Sequence, residues 1–375
     1  MRQPIDRITL KGFKSIRDLE DFPLKSLNIL IGANGTGKSN FVSFFTFLRE
    51  AVEGRLGPYV DIRGGADGHL HMGPKITALM AAGLRFHSFV YELVLASTVK
   101  NTFAFVEERA GYYRSTEASW AKGSIRQGRN ESVVGESVLK ACSKDAGLPE
   151  MTRQVCKDIY DSISGCIVYH LHDTSDTAGI RRSGSVRDNE YLRPDAGNLA
   201  AFLLMLHDRH QSTYEKIRDT VRLAAPFFDD FKFRPRPSNG DTTLQLEWTQ
   251  KDSDYPFLVT QLSDGTLRFV ALTTALLQPS PPSTILLDEP ELGLHPYALN
   301  LLAGLLKKAA TQTQVIVSTQ SAPLLDNFEA EDVIVVERKD GESTFERLSS
   351  EKLHEWLKDY SLGELWEKNV LGGRP

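Results

Sequence analysis

The chain has few cysteines, no excess of positive charge and no long apolar run. Its three cysteines, Cys142, Cys156 and Cys166, are odd in number and form no C-x-x-C pair, which favours a reducing cytosol. The apolar runs are far shorter than a bilayer span and no N-terminal signal pattern is present, so we expect a cytoplasmic protein without a membrane partner. A net charge of −5 excludes a chain that binds nucleic acid over its whole surface, and any DNA contact needs a local basic patch.

The rest of the composition is that of a folded globular protein. Hydrophobic residues make up 41% and charged residues 25% of the 375 positions, as in ordinary soluble domains. This length holds roughly two to three domains, or one large domain with an insertion. No repeat recurs at a fixed period and no heptad pattern is sustained through the middle of the chain, so we expect no long coiled-coil arm.

A glycine-rich string near the start of the chain has the pattern G-x-x-x-x-G-K-S. An apolar strand pattern at 27–31 precedes it, and an apolar helix pattern from Asn40 follows it. This is the setting of a P-loop, in which backbone N–H groups and the Lys bind phosphates and the Ser binds Mg²⁺. An ordinary glycine turn is the alternative, but it does not explain the strand, the Lys-Ser pair and the helix together. The predicted nucleotide-binding residues are Gly32, Ala33, Asn34, Gly35, Thr36, Gly37, Lys38, Ser39 and Asn40.

Two carboxylates follow a second buried strand pattern. Residues 283–287 form a largely apolar run after a proline-rich turn, and Asp288 and Glu289 come directly after it. Ligands of open α/β sheets bind at the carboxyl ends of strands. We therefore expect Asp288 to share Mg²⁺ with Ser39, and Glu289 to orient and deprotonate an attacking water. The alternative is a solvated surface pair, against which the apolar strand and the upstream P-loop argue.

A third string, Gln-Leu-Ser-Asp-Gly-Thr at 261–266, precedes an amphipathic helix pattern. Ser263 offers a hydroxyl, Gly265 allows a close backbone approach, and the start of a helix favours an anion. By itself the string is also an ordinary helix cap. It therefore predicts an anion site only in combination with the other two strings.

The order of these three strings resembles an ABC-type ATPase head. The Gly-Phe-Lys-Ser opening at 12–15 and the Glu-Pro-Glu-Leu-Gly-Leu-His-Pro string at 289–296 make it similar to the compact RecF- and SMC-like predicted ATPases of bacteria, including the PtuA-like ATPases of antiviral systems. The resemblance implies an α/β P-loop NTPase fold with a mixed sheet, an antiparallel lobe and a largely helical insertion. It implies ATP and Mg²⁺ as cofactors, and a homodimer that encloses two nucleotides. Ser263 and Gly265 of one protomer would then contact the γ-phosphate held by Lys38 of the other.

This resemblance predicts a single discontinuous head. Residues 1–114 are expected to form an N-terminal lobe with the P-loop, 115–240 a mostly helical insertion, and 241–375 the signature string and the rest of the head. The resemblance is strong at both ends of the chain and weak between 73 and 253.

Two positions depart from the pattern of such heads. The signature string reads Leu-Ser-Asp-Gly-Thr instead of Leu-Ser-Gly-Gly-Gln, and Gln320 stands where a switch histidine is usual. An amide can hydrogen-bond the γ-phosphate or the attacking water, but it does not titrate near neutral pH. We therefore count Gln320 with Glu289 and Lys38 among the catalytic candidates and expect hydrolysis that is slow or needs a stimulus. The sequence leaves two places for the family's Mg²⁺-contacting glutamine loop, the 64–73 stretch and the end of a later strand.

Histidine pairs and basic groups give weaker signals. The histidine pairs lack the spacing of a specific metal site, so we expect structural roles for His69 and His71, His170 and His172, and His207 and His210. Arg63 is a candidate to reach a phosphate from within the same chain. Basic groups are usually solvated faces, but at least one is a candidate DNA contact; they are Lys11, Lys14, Arg17 and Lys25; Arg181 to Arg193; Arg234 and Arg236; and Lys307 and Lys308.

Together these patterns predict a Mg²⁺-dependent ATPase whose dimer closes and opens on ATP. The resemblance implies that this motion drives DNA-linked work in antiviral defence or DNA repair. Few residues follow the last head strands, so we expect a separate nuclease or effector partner. Two alternatives stay open. One is a nucleotide-gated scaffold with little turnover, suggested by Gln320, and the other is the energising subunit of a membrane transporter, which would need a membrane partner.

Overall fold

The computed structural model describes residues 3–114, 117–120, 126–127, 137–238 and 240–373. Its strands are β1 (Ile5–Phe13), β2 (Ile16–Pro23), β3 (Leu27–Ile31), β4 (Leu79–Phe86), β5 (Phe89–Ser97), β6 (Phe103–Arg114), β7 (Glu117–Trp120), β8 (Arg126–Gln127), β9 (Cys166–Tyr169), β10 (Gly184–Ser185), β11 (Phe228–Lys232), β12 (Arg236–Ser238), β13 (Asp241–Leu244), β14 (Glu247–Gln250), β15 (Phe257–Leu258), β16 (Thr284–Asp288), β17 (Gln314–Thr319), β18 (Val333–Lys339) and β19 (Glu342–Arg347). Its helices are α1 (Lys38–Val52), α2 (Leu56–Asp61), α3 (Leu139–Cys142), α4 (Glu150–Ser164), α5 (Leu199–Arg209), α6 (Gln211–Ala224), α7 (Asp264–Leu277), α8 (Pro296–Ala309), α9 (Ala322–Leu325), α10 (Ser350–Leu353) and α11 (Leu362–Glu367).

A six-stranded sheet supplies the strand ends on which the candidate site lies. Its order is β19-β18-β3-β17-β16-β9, and its neighbours are parallel except for the β18–β19 hairpin. Strands β3, β16 and β17 are buried almost throughout, as expected for parallel strands covered on both faces. The register pairs Asp288 with Ser318 and Thr319 with Ile31. The carboxyl ends of β3, β16 and β17 therefore lie side by side.

The antiparallel lobe packs on one face of this sheet through α1. Its order is β2-β1-β4-β5-β6-β7, with β8 also paired to β6. Phe13 of β1 contacts Phe44 and Phe47 of α1, with ring centroids 5.5 and 5.4 Å apart. Burying one such ring contributes about 1.5–3 kcal/mol. Helix α1 is therefore fixed between the two sheets, and the loop at its start is held by a rigid layer.

The other face of the six-stranded sheet packs against α5 to α8. Along β3, Ile29 and Ile31 belong to this second core, whereas Leu30 faces the core that contains α1. This division follows from the two-residue side-chain period of a strand. The signature helix α7 therefore shares a core with the P-loop strand, on the side opposite to α1.

The described elements of 115–240, the region predicted as a mostly helical insertion, pack against the rest of the head. In its described part, β9 pairs in parallel with β16 at the edge of the central sheet, α4 contacts α1, and α6 contacts α7. These elements belong to the layers of the head and do not stand apart from it, because their apolar faces complete its two cores. At the start of this region, residues 117–120 and 126–127 form β7 and β8, whereas 115–116, 121–125 and 128–136 lie outside the described residues.

The cysteines also differ from the expectation of a reducing environment. Cys142 at the end of α3 and Cys156 on α4 are joined by a disulfide, with their Cα atoms 6.1 Å apart. Packing of α3 against α4 brings the two sulfurs together. Cys166 is free and buried, and burial raises the pKa of its thiol to about 11.

Candidate functional site

The P-loop connects β3 to α1 at the carboxyl end of the central sheet. Gly35 and Gly37 have φ angles of 80° and 113°, in the region that favours glycine. At Gly37 a Cβ atom would overlap Ser343 Oγ and would lie 2.8 Å from Ser15 Oγ. The predicted string therefore forms the tight loop that its pattern requires, and the Gly37 position admits no side chain.

Lys38 is the first residue of α1, and its side chain lies inside the loop. Its Nζ donates to the carbonyl oxygens of Gly32 (2.6 Å) and Ala33 (2.9 Å). Burial lowers the pKa of the Lys38 ammonium, and the carboxylates that follow β16 oppose this shift. The structure thus brings Lys38 close to both predicted carboxylates, although they are far apart in sequence.

The side chains of Ser15 and Ser343 hold the P-loop in its conformation. Ser343 Oγ on β19 donates to the Thr36 carbonyl oxygen (2.5 Å) and lies 2.7 Å from Ser15 Oγ. The side-chain amide of Asn40 donates to Ser15 Oγ (2.7 Å), so this predicted nucleotide-binding side chain is engaged by the protein. Ser15 belongs to the Phe-Lys-Ser string noted in the sequence, whereas nothing in the sequence marks Ser343. Both serines fix the loop conformation.

The exposed side of the P-loop contacts Gly373, the last described residue of the chain. The Ala33 N–H donates to the Gly373 carbonyl oxygen (2.5 Å), and Arg338 donates to the Gly35 carbonyl oxygen (3.2 Å). Asn34, Gly35 and Ser39 are exposed. The loop is therefore open towards solvent on one side.

Asp288 is the last residue of β16 and Glu289 follows it, beside the switch position Gln320, which follows β17. The Ser318 hydroxyl donates to Asp288 Oδ1 (2.5 Å), and the Glu289 N–H donates to the Ser318 carbonyl oxygen (2.7 Å). Glu289 has a φ of 44°, a conformation that costs energy for a residue with a Cβ and is common at functional sites. The side-chain amide of Gln320 donates directly to Glu289 Oε1. The predicted catalytic residues Lys38, Glu289 and Gln320 therefore gather at one edge of the sheet.

His170 lies at the same carboxyl end of the central sheet, although the sequence did not predict it as a residue of this site. It follows β9, the neighbour of β16, and its N–H donates to the Pro194 carbonyl oxygen (2.8 Å). Burial lowers the pKa of the imidazole, while the Asp288 carboxylate opposes this shift. His170 stands at the end of a later strand, which is one of the two places that the sequence leaves open for the glutamine loop. The signal in the sequence that could have identified His170 was a strand pattern followed directly by a histidine.

The signature string begins α7 and is exposed at Ser263. Ser263 Oγ is the helix cap and accepts from the Thr266 N–H (3.2 Å). A Cβ on Gly265 would overlap the Gly293 carbonyl oxygen, so this glycine is needed for packing within the chain. Among the described residues no hydrogen bond joins this string to the P-loop of the same chain. Within one protomer, Ser263 is therefore not hydrogen-bonded to the loop that contains Lys38.

Two buried arginines tie the signature helix to the loops around the site. Arg181 donates to the carbonyl oxygens of Thr174, Val259 and Leu262 and to the Asp264 carboxylate. Arg268 donates to the carbonyl oxygens of Leu171 (3.0 Å), His172 (2.9 Å) and Leu292. Neither role was predicted, because both depend on backbone groups far away in sequence.

The weaker sequence candidates have partners within the protein. Arg63 stacks over the Tyr59 ring, with its guanidinium 4.2 Å from the centroid, and is close enough to His170 and Lys14 to lower their pKa values. The buried rings of His69 and His71 hydrogen-bond the carbonyl oxygens of Gly65 and Lys14. Several basic residues proposed as DNA contacts are ion-paired: Lys11 with Asp18, Arg17 with Glu342, Arg181 with Asp264, Arg193 with Asp188, and Arg234 and Arg236 with Glu247.

The donor groups at the strand ends fit Mg²⁺. The ion prefers carboxylate and hydroxyl oxygens and keeps several waters. In the described part of the chain Ser39 Oγ makes no hydrogen bond, and Asp288 accepts through only one oxygen from Ser318. These oxygens lie at the start of α1 and the end of β16. Among the described residues, this site included, no group of three or more His, Cys, Asp or Glu side chains could hold a metal ion. No described helix is long and apolar enough to cross a bilayer.

Comparison with known proteins defines the class of the fold. Among solved structures, the chain is similar to an Smc head bound to the C-terminal winged-helix domain of ScpA, with a TM-score of 0.56, 16% identity, and coverage of 94% of this chain and 99% of that one. It is also similar to the Pyrococcus furiosus Smc head with an extended coiled coil bound to the C-terminal domain of ScpA, with a TM-score of 0.54, 16% identity, and coverage of 95% and 99%. The predicted α/β fold with a mixed sheet is thereby confirmed as the fold of these Smc head domains.

A family model gives the more particular likeness. Residues 174–327 match the family described as "AAA domain, putative AbiEii toxin, Type IV TA system". The match includes α7, β16 and β17 but not the P-loop, and it spans less than half of the chain. No curated protein matches the chain.

Proposed function

We propose that this chain is a Mg²⁺-dependent ATP hydrolase that dimerises around ATP. The observation that carries the proposal is the meeting of Lys38, Asp288, Glu289 and Gln320 at the carboxyl ends of three adjacent parallel strands. A P-loop alone binds a nucleotide, but an acid pair and a side-chain amide beside it are what in-line hydrolysis needs. The fold shared with Smc heads supports the same activity.

The chain's own residues account for each part of the reaction. The P-loop N–H groups and Lys38 bind the β- and γ-phosphates, and Ser39 and Asp288 would hold Mg²⁺, which neutralises phosphate charge when bound. Glu289 orients a water and takes its proton as the water oxygen bonds to the γ-phosphorus and the bond to the ADP oxygen breaks. Gln320 holds the Glu289 carboxylate through its amide, so that the second oxygen of Glu289 is directed to the water.

A second protomer completes the centre in this proposal. Ser263 is exposed and caps the N-terminus of α7. Among the described residues it makes no hydrogen bond to the P-loop of its own chain. A helix start of this kind favours an anion. The γ-phosphate on the partner's P-loop is such an anion, and binding energy at this contact would favour the closed dimer.

Steady-state phosphate release from wild type and Glu289→Gln tests the hydrolysis. The amide keeps the shape of the side chain but cannot accept the proton, so we expect kcat to fall about 10²- to 10⁴-fold. Gel filtration with ATP should show the variant accumulating as a dimer. Glu351→Gln, on an exposed position outside the site, is the matched control and should turn over like wild type. Equal rates for wild type and Glu289→Gln would contradict the proposal.

A nucleotide-gated scaffold is the second candidate function, and one observation favours it. Gln320 occupies one oxygen of Glu289, and no titrating switch histidine stands at this position. If wild type releases phosphate no faster than Glu289→Gln yet still dimerises with ATP, the scaffold replaces the hydrolase.

We further infer that closure drives DNA-linked work with a separate effector, in antiviral defence or repair. The likeness to Smc heads bound to ScpA domains supports a protein partner, whereas the ion pairing of many basic residues leaves a small DNA surface. The inference predicts duplex binding that strengthens with ATP and weakens steeply with salt. Duplex binding that is the same with and without ATP, or that is absent at low salt, would contradict this inference.

A further inference from the structure

Glu291 lies in the turn after β16, two residues beyond Glu289, and the hydrolysis mechanism above assigns it no role. It is half-buried, and burial raises the pKa of its carboxyl. The Leu294 N–H donates to its carbonyl oxygen (3.0 Å), which keeps the turn closed and directs the side chain back towards β17. A partly desolvated carboxylate is costly unless it is hydrogen-bonded, so its partners indicate what it does.

One oxygen of Glu291 accepts two hydrogen bonds from the switch segment that follows β17. The Thr319 hydroxyl donates to Oε1 (2.5 Å), and the Gln320 backbone N–H donates to the same oxygen (3.0 Å). The Thr319 hydroxyl also accepts from the Ser321 N–H (3.0 Å). Three consecutive residues are therefore fixed, directly or through one hydroxyl, by a single carboxylate oxygen.

The residue fixed in this way is the one whose side chain reaches the proposed base. The Gln320 amide donates to Glu289 Oε1, and a side chain can hold that direction only if its backbone is fixed. The β16–β17 register ends at the Asp288–Ser318 pair, so ladder hydrogen bonds do not extend to Gln320. Glu291 supplies the hydrogen bond that the sheet no longer provides.

The other oxygen of Glu291 distinguishes positioning from simple packing. Oε2 is buried and has no hydrogen-bond partner among the described residues. An anchor that served stability alone would gain from having both oxygens paired. An isosteric glutamine offers the same acceptor at Oε1, so the two roles of the carboxylate, as acceptor and as charge, can be separated.

We propose that Glu291 is a positioning residue that holds Gln320 in place against Glu289. The proposal rests on the hydrolase function above. Glu291 acts through Gln320 and does not touch the reacting atoms. Its loss lowers turnover because Glu289 is left free to point away from the water, whereas binding of the nucleotide by the P-loop is unchanged.

A double-mutant cycle tests this positioning role on wild type, Glu291→Ala, Gln320→Ala and the double variant. For each protein, the measured quantities are kcat and the Kd of a non-hydrolysable ATP analogue. A shift of about 1 Å in a catalytic group costs up to a hundredfold in rate, so we expect Glu291→Ala to lower kcat about tenfold to a hundredfold. Kd should change less than about twofold, since lost transition-state interactions leave ground-state binding intact. The double variant should be no slower than Gln320→Ala, because residues acting through one another are not additive.

Two conservative variants separate position from charge. Glu291→Gln keeps the acceptor oxygen and should retain kcat within about threefold of wild type. Glu291→Asp keeps the charge but shortens the side chain, and it should fall with the alanine variant; it serves also if Glu291→Ala does not fold. A glutamine variant as slow as alanine, multiplicative losses in the double variant, or a weakened Kd with unchanged kcat would each overturn the inference. A wild-type chain without ATPase activity would remove the proposed function and this inference together, whereas normal wild-type turnover with any of those results removes the inference alone.

Discussion

The P-loop and the signature string, the two halves of the proposed catalytic centre, are built in opposite ways. The P-loop is held on several sides by its own chain, through Ser15, Ser343 and the Gly373 carbonyl, and its lysine is buried. The signature string is held by Arg181 and by the close packing of Gly265 against Gly293, and it presents Ser263 to solvent. In the proposed centre, one half is complete in a single chain and the other would act only across a dimer. We therefore expect nucleotide binding and closure of the dimer to be separable.

Lys38→Ala has the largest expected effect, because it removes the lysine of the P-loop, the half of the proposed centre that a single chain completes. The ammonium makes charge-assisted hydrogen bonds to phosphate, each worth about 1.5–3 kcal/mol. We expect the Kd for ATP to rise by about a hundredfold or more, measured by calorimetry, and ATPase activity to disappear. Lys308→Ala, an exposed lysine on α8, is the matched control. Undiminished ATP binding by Lys38→Ala would show that the P-loop is not the nucleotide site.

Ser263→Asp should break the second half and leave the first intact. Aspartate caps a helix as well as serine does, but its charge would face the partner's γ-phosphate, and like charges at an interface cost several kcal/mol. We expect ATP-dependent dimerisation, measured by analytical ultracentrifugation, to weaken at least about tenfold, with the ATP affinity of the monomer unchanged. Ser263→Asn keeps the cap without the charge and should dimerise much more like wild type. If the aspartate variant dimerises as well as the asparagine variant, the signature string does not face a nucleotide.

Arg181→Met tests how the signature string is held, and it has the smallest expected effect. The methionine fills similar space but leaves the carbonyl oxygens of Thr174, Val259 and Leu262 without their donor. Unsatisfied buried acceptors cost about 1–3 kcal/mol, so we expect the free energy of unfolding in urea to fall by about 2 kcal/mol. Arg182→Met, an exposed neighbour, should change it by less than about 0.5 kcal/mol. Equal losses in both variants would mean that the buried guanidinium is not an anchor.

The sequence was informative where chemistry is carried by contiguous residues. The P-loop string, the Asp288–Glu289 pair and the helix cap at Ser263 are each short strings next to a strand or helix pattern, so their local structure followed from spacing alone. The fold class followed from the order of these strings and is confirmed. The site roles of these residues stay predictions until they are tested by the variants above.

The sequence was uninformative where two distant segments meet. Glu291 contacts Gln320, and Ser343 contacts Thr36, only because strand register brings them together. No periodicity in either segment encodes that register. For the same reason the sequence does not indicate that β9 lies beside β16.

One guanidinium has a consequence for how the molecule can move. Arg268, on α7, donates at once to the loop after β9, through Leu171 and His172, and to the loop after β16, through Leu292. Helix α7 cannot tilt or rotate relative to either loop without losing at least one of these bonds. A movement of α7 would therefore be transmitted to the loops that follow β9 and β16, which carry His170 and Glu289.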